Sequence, residues 1–229
     1  NAPNSVGTIF SYNSSTNVVT NLYAFGDSSG SIVGPHSPMA TMALGIDGKL
    51  YGTTTGMGAP AGMPSIFSFD IATNGLAIRA TIPQNENTSC GYPPCYSYPQ
   101  TRSSLTQAST GIFYGTTIGG GVNGKGSIFS FNPNTDSFST IYSFSDGYAG
   151  YGHVSPNGRL AVGPNGLLYG TTGRGGVNSR GSIFSLDTVT NEVSTLYSFS
   201  NGAGYSDIPG WNADGAGPRA GLTLGADGI

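Results

Sequence analysis

This sequence predicts an all-β fold, a four-bladed β-propeller, and three observations carry the reading. Tyr-Gly-Thr-Thr occurs three times, beginning at Tyr51, Tyr114 and Tyr169. Ile-Phe-Ser occurs four times, beginning at Ile9, Ile66, Ile128 and Ile183, at spacings of 57, 62 and 55 residues. Between these strand-like runs lie glycine-rich turns, and no ten-residue window carries a helical hydrophobic period. A period of this size with strand content is the signature of blades or stacked β-units. An aligned sandwich would show sharper apolar and polar alternation, whereas a β-solenoid stays open as a second architecture.

The third copy shows the elements in order. Leu105 to Ala108 reads as a first strand, turned by Ser109-Thr110-Gly111. Ile112 to Thr117 reads as a second strand and Gly119 to Gly126 as a glycine-rich loop. Ser127 to Phe131 forms a third strand, Asn132 to Asp136 a tight turn and Phe138 to Phe144 a fourth strand. Asp47-Gly48, Asn165-Gly166 and Asp227-Gly228 mark the equivalent first hairpin turn elsewhere, since Asx-Gly is the strongest short hairpin signal. Four antiparallel strands and a long return describe one blade. Alternation puts Phe129 and Phe131 on one face and Ile128 and Ser130 on the other. Each aromatic face is expected to settle on its neighbour's Ser, Thr and Gly face.

The units run approximately 42–104, 105–159 and 160–221, in one domain of 1–229. The fourth unit is split between 1–41 and 222–229. It lacks the counterpart of Leu168 to Arg174. The sequence therefore reads either as part of a longer array or as a chain with a gap that something else fills.

Composition narrows the function classes. Charged residues make up 8% of the 229 and the net charge is −3, against roughly 25% charged residues in an average domain. Nucleic acid needs clustered Lys and Arg, so it is excluded as a partner. No apolar run is long enough to span a membrane. Aromatic residues at 11% argue for a packed core rather than disorder. Cys90 and Cys95, the only cysteines, read as a local disulfide in an oxidising, extracellular compartment.

The repeat elements Gly48-Lys49-Leu50-Tyr51-Gly52-Thr53-Thr54, Gly166 to Thr172 with Gly175-Gly176, and Asp214 to Leu222 resemble the GloVer-type tandem repeats of secreted bacterial and archaeal proteins with varied anchors. The likeness spans essentially the whole chain. It departs in the second copy, where Pro64-Ser65 stands for Gly-Ser and Arg79 to Ile82 for Leu-Tyr-Ser-Phe. The Cys90–Cys95 insertion also lies outside the repeat. The resemblance implies an extracellular, propeller-like repeat protein. It implies no enzymatic activity.

Candidate sites are sparse. His36 and His153 occupy nearly equivalent connections, but two copies lack a histidine there, so both read as structural. The aspartates Asp70 and Asp187 alternate with Asn132 at strand ends, which points to backbone capping instead of acid–base chemistry. A secreted polysaccharide lyase or hydrolase would need a cluster such as Arg159, Arg219 and His153. Calcium near Asp146-Gly147 or Asp207 lacks the dense oxygen spacing of a strong site, and no cofactor is expected. The glycine-rich loops Gly119–Gly126 and Gly173–Gly181 precede strands, so they lack the helix N-terminus that phosphate binding uses. Asn13 and Asn87 head Asn-x-Ser/Thr sequons open to glycosylation.

Two readings of function remain. Tyr148, Tyr151, Tyr205 and Trp211 lie in polar connections and suit a lectin-like contact with surface glycans. The preferred reading is a non-enzymatic subunit of a surface layer, sheath or filament, whose partners are other copies of itself. Its interface is expected at Gly7, Thr8, Ile9, Phe10 and Ser11 on one side and Leu222, Thr223, Leu224 and Ile229 on the other, where the split unit exposes strand edges.

Overall fold

The computed structural model describes residues 7–25, 37–55, 63–83, 100–145, 154–200 and 214–225. It is all-β, with fourteen strands in four antiparallel sheets among the described residues. The first sheet holds only β1 (Thr8–Asn13) and β2 (Val18–Ala24). The second orders β3 (Ala43–Leu44), β4 (Leu50–Thr54), β5 (Ser65–Asp70) and β6 (Gly75–Thr81) as a meander. The third repeats it with β7 (Thr106–Gln107), β8 (Phe113–Thr117), β9 (Ser127–Asn132) and β10 (Ser137–Ser143). The fourth repeats it again with β11 (Ala161–Val162), β12 (Leu168–Thr172), β13 (Ser182–Leu186) and β14 (Val193–Ser198).

The local sequence explains each turn. Asn13, Asp70, Asn132 and Asp187 end the third strand of their units. The side-chain oxygen of each accepts the backbone N–H two residues on, at 2.8–2.9 Å. The interchange of Asp and Asn is therefore a capping interchange, as the sequence implies. Asn17, Asn74, Asp136 and Asn191 then take positive φ of 53–60° and send the chain into the fourth strand. A register shift falls at the same point of all four third-to-fourth strand pairs, after Ile9, Ile66, Ile128 and Ile183. Such a bulge adds local twist, and repeating it turns every sheet alike.

The glycine-rich loops are structural. Val122 N–H and Val177 N–H donate to the hydroxyls of Ser143 and Ser198, at 3.1 and 3.3 Å. Asn123 and Asn178 amides donate to the Phe144 and Phe199 carbonyls. Each loop is thereby tied to the last strand of its own sheet.

Burial on both faces, expected from the sequence, follows from how the sheets stack. Phe67 and Phe69 pack with Ile9 and Phe25 of the first sheet. Phe129 and Phe131 pack with Tyr51, Ile66 and Ile82 of the second, and Phe184 and Leu186 with Tyr114, Ile128 and Phe144 of the third. Each sheet thus has a leading face, carrying the Phe of Ile-Phe-Ser, and a trailing face, carrying its Ile and the Tyr of Tyr-Gly-Thr-Thr. Successive sheets meet leading face to trailing face, which is the propeller-like relation.

One expectation needs correction. The face that receives the aromatics carries Ser68 and Thr53 as expected, but no glycine, and it is not mainly small. The receiving face is apolar at Tyr51, Ile66 and Ile82. The glycine lies on the aromatic side instead, because Gly52, Gly115 and Gly170 stand across the strand pair from Phe67, Phe129 and Phe184 of their own sheet. A Cβ there would come within 2.4–2.5 Å of the ring Cζ. The ring covers the glycine, and only glycine leaves room.

Candidate interaction surface

The three interior joints define what a complete contact looks like. The leading-face rings Phe67, Phe129 and Phe184 are at most 1% exposed, and Phe69, Phe131 and Leu186 are fully buried. Their partners across the joint sit at ring–ring distances of 5.4 Å for Phe25–Phe67, 5.7 Å for Phe144–Phe184 and 6.2 Å for Tyr51–Phe131. Tyr51 also lies 4.5 Å from Phe113.

At the two ends of the stack the same positions are open. Phe10, the counterpart of Phe67, is 61% exposed, and Tyr12, the counterpart of Phe69, is 57% exposed. Their strand β1 pairs with β2 alone among the described residues, so its other edge has no neighbouring strand. The trailing face of the fourth sheet is open too. Tyr169, Ile183 and Phe199 are half-buried, whereas their counterparts Tyr51, Ile66 and Ile82 are 0–2% exposed.

Beside Tyr169 lies an apolar pocket of about 460 Å³, with Val162, Pro164, Leu222 and Leu224 in its wall. Leu222 and Leu224 are the counterparts of Leu160 and Val162, so the segment occupies the place where the first strand of a following sheet runs. The Thr171 hydroxyl holds it there by donating to the Ala220 carbonyl at 2.9 Å. Thr106 similarly donates to the Leu160 carbonyl at the preceding joint, at 2.6 Å.

Polar groups rim this end. The Asp214 carboxylate accepts from the Ser200 hydroxyl, the Ser200 N–H and the Tyr197 hydroxyl. Those bonds, the Ser200 hydroxyl first, hold Asp214 down to about 2. The same contact raises the Tyr197 phenol. Tyr51 is pushed up to about 12, mainly by burial and then by its hydrogen bond to Asp47. Burial raises Tyr114 as well. Backbone N–H groups of Val189 and Thr190 lower Asp187. Each of these is a capping or packing interaction among the described residues.

The structure brings together the sequence-predicted residues only in part. Thr8, Phe10 and Ser11 are exposed on β1, whereas Ile9 is buried against the second sheet and Gly7 lies close against Pro38. Leu222, Thr223 and Leu224 line the pocket of the fourth sheet. The strand expected from the latter to complete the first sheet is not formed among the described residues. Arg159 donates weakly to the Thr106 hydroxyl at 3.4 Å, and Arg219 is exposed. Cys90, Cys95, His36, His153, Tyr148, Tyr151, Tyr205, Trp211, Asn87, Asp146, Asp207 and Ile229 lie outside the described residues. Among the described residues no group of His, Cys, Asp or Glu gathers as metal ligands. Sequence reasoning did not single out Tyr12, Tyr169 and Phe199, whose repeat counterparts Phe69, Tyr51 and Ile82 are buried.

The model of the Gloeobacter/Verrucomicrobia repeat matches residues 1–229. Among curated proteins nothing matches the chain. Solved structures similar to it include TolB from Acinetobacter baumannii, at 14% identity and a TM-score of 0.48, over 82% of this chain and 37% of that one. A chain of a nidogen/laminin complex matches at 14% identity and a TM-score of 0.48, over 84% of this chain and 59% of that one.

Proposed function

The chain belongs to the Gloeobacter/Verrucomicrobia repeat family, and on that footing we propose that it is a non-enzymatic structural protein that associates with further copies of itself. The carrying observation is the first sheet, which holds two strands among the described residues while its three counterparts hold four. A free strand edge is a template for strand addition by another chain. Low charge favours the same outcome, since few charged groups must be desolvated when broad surfaces meet. The four sheets act in this reading as the blades of a four-bladed propeller whose split blade is completed at a subunit joint. An extracellular or cell-surface setting suits the sparse charge and the Cys90/Cys95 pair.

Electron microscopy and sedimentation of the purified chain across a wide concentration range test this. Polymers or concentration-dependent oligomers are expected. Dispersed monomers throughout would overturn it.

A further inference from the structure

We propose that the outer edge of the third sheet pairs with the same edge of a second copy, β10 running antiparallel to its partner across a two-fold axis at Ser139. This rests on the self-association reading and assigns it a joint within the body of the chain.

β10 is the outermost strand of its sheet among the described residues, and that sheet packs against a neighbouring sheet on each face. Register fixes which backbone groups face outward. In the fourth sheet the Asp187 N–H donates to the Glu192 carbonyl at 2.9 Å, so Glu192 is bonded inward. Ser137 holds the equivalent place opposite Asn132, and alternation turns Ser137 and Ser139 towards β9. The N–H and C=O of Phe138 and Thr140 therefore point out of the sheet. Phe138 is held against Phe129 at 5.2 Å between rings, which sets this stretch of backbone in place.

Natural edges are commonly guarded by Lys, Pro or another charge. β10 reads Ser-Phe-Ser-Thr-Ile-Tyr-Ser and carries none of them. Asp136, which precedes it, is held by Arg79 at 2.7 Å. The other edges of four-stranded sheets are less open to self-pairing, since β6 contains Arg79 and β14 begins beside Glu192.

The occupant follows from the edge itself. A two-fold at Ser139 sets Ser139 against Ser139 and Phe138 against Thr140, an aromatic–β-branched pair of the kind that stabilises sheets. The pairing bonds then join Phe138 to Thr140 in both directions, through the groups that face out. No like charges are opposed. Ile141 is bulged out of register with β9, so the regular run ends at Thr140 and the joint is short. A two-fold joint closes on itself and contributes a dimer contact to a larger assembly.

Charge swapping across the axis tests the geometry. Ser139→Lys sets two like charges face to face and should weaken association about fivefold or more, and Ser139→Glu should do the same. An equimolar mixture of the two variants should recover association, because opposite charges then meet. Ser139 is exposed, so unchanged circular dichroism is expected to report an intact fold. Sedimentation of wild type, each variant and the mixture reads every case. If wild type associates and neither variant weakens it, the joint is wrong and self-association stands on another surface. Weakening in both variants without recovery in the mixture would overturn the two-fold and set β10 against a different strand. A strictly monomeric wild-type chain would overturn both the joint and the self-association reading.

Discussion

Gly115→Ala should destabilise the protein far beyond the usual cost of a methyl group on a strand. The added Cβ would lie 2.4 Å from Phe129 Cζ, 2.9 Å from its Cε1 and 3.1 Å from Leu105 Cδ2. Carbon atoms are comfortable at about 3.5–4.0 Å, so the ring must retreat by about 1 Å. It has little room to do so. Phe129 is 1% exposed, and Phe138 lies 5.2 Å away between ring centroids. Overpacking of this kind costs about 1–3 kcal/mol. In a chain of this size each kcal/mol lowers Tm by about 2–4 °C. Gly48→Ala is the control for backbone strain alone, since Gly48 has φ of +79° and nothing within 4 Å of its Cβ site. It should lose only about 1 kcal/mol. Adding Phe129→Leu to Gly115→Ala should recover part of the deficit, because the shorter side chain vacates the Cζ position. Scanning calorimetry of the four proteins decides the matter. A Gly115→Ala protein as stable as wild type, or a double variant with no recovery, would refute the argument that the ring dictates the glycine.

Three more expectations follow from single groups. Thr116 Oγ1 lies 2.9 Å from both Ser103 Oγ and the Pro156 carbonyl, whereas buried Thr53 Oγ1 has no partner among the described residues. Thr116→Val should therefore cost about 1–2 kcal/mol, while Thr53→Val should be neutral or stabilising by up to about 1 kcal/mol in urea unfolding. For Tyr51, with its pKa raised from 10.0 to about 12, the protonated phenol favours the folded state. That contribution is complete below pH 10 and is lost as pH rises through 12, which tyrosinate absorbance in folded and unfolded chains will follow. Asp214 works in the opposite sense. Its pKa falls from 3.8 to about 2, so its contribution is present above pH 3.8 and lost as pH falls through 2. NMR titration of the Ser200 amide, which donates to Asp214 at 2.8 Å, should show that low midpoint.

The strand meander was legible because each unit carries its own turn chemistry. Asx at the end of the third strand and Asx-Gly in the first hairpin both act locally, through bonds two or three residues long. Face assignment was legible for the same reason, since alternation alone separates Ile128 from Phe129. The repeated bulge was not readable, because the unpaired residues Leu22, Arg79, Ile141 and Leu196 share no side-chain character that marks a bulge. Nor was the apolar receiving face. It draws Tyr51 from one strand, Ile66 from a second and Ile82 from beyond a third, and no single stretch of sequence displays them together.

The first sheet, with two strands among the described residues, depends on its neighbour. Two paired strands are marginal alone, and β1–β2 is kept in place by Ile9 and Phe25 on the Phe67–Phe69 face. In a stack of repeated units stability is a sum of unit and interface terms. For β1–β2 the interface term with the second sheet is therefore the decisive one.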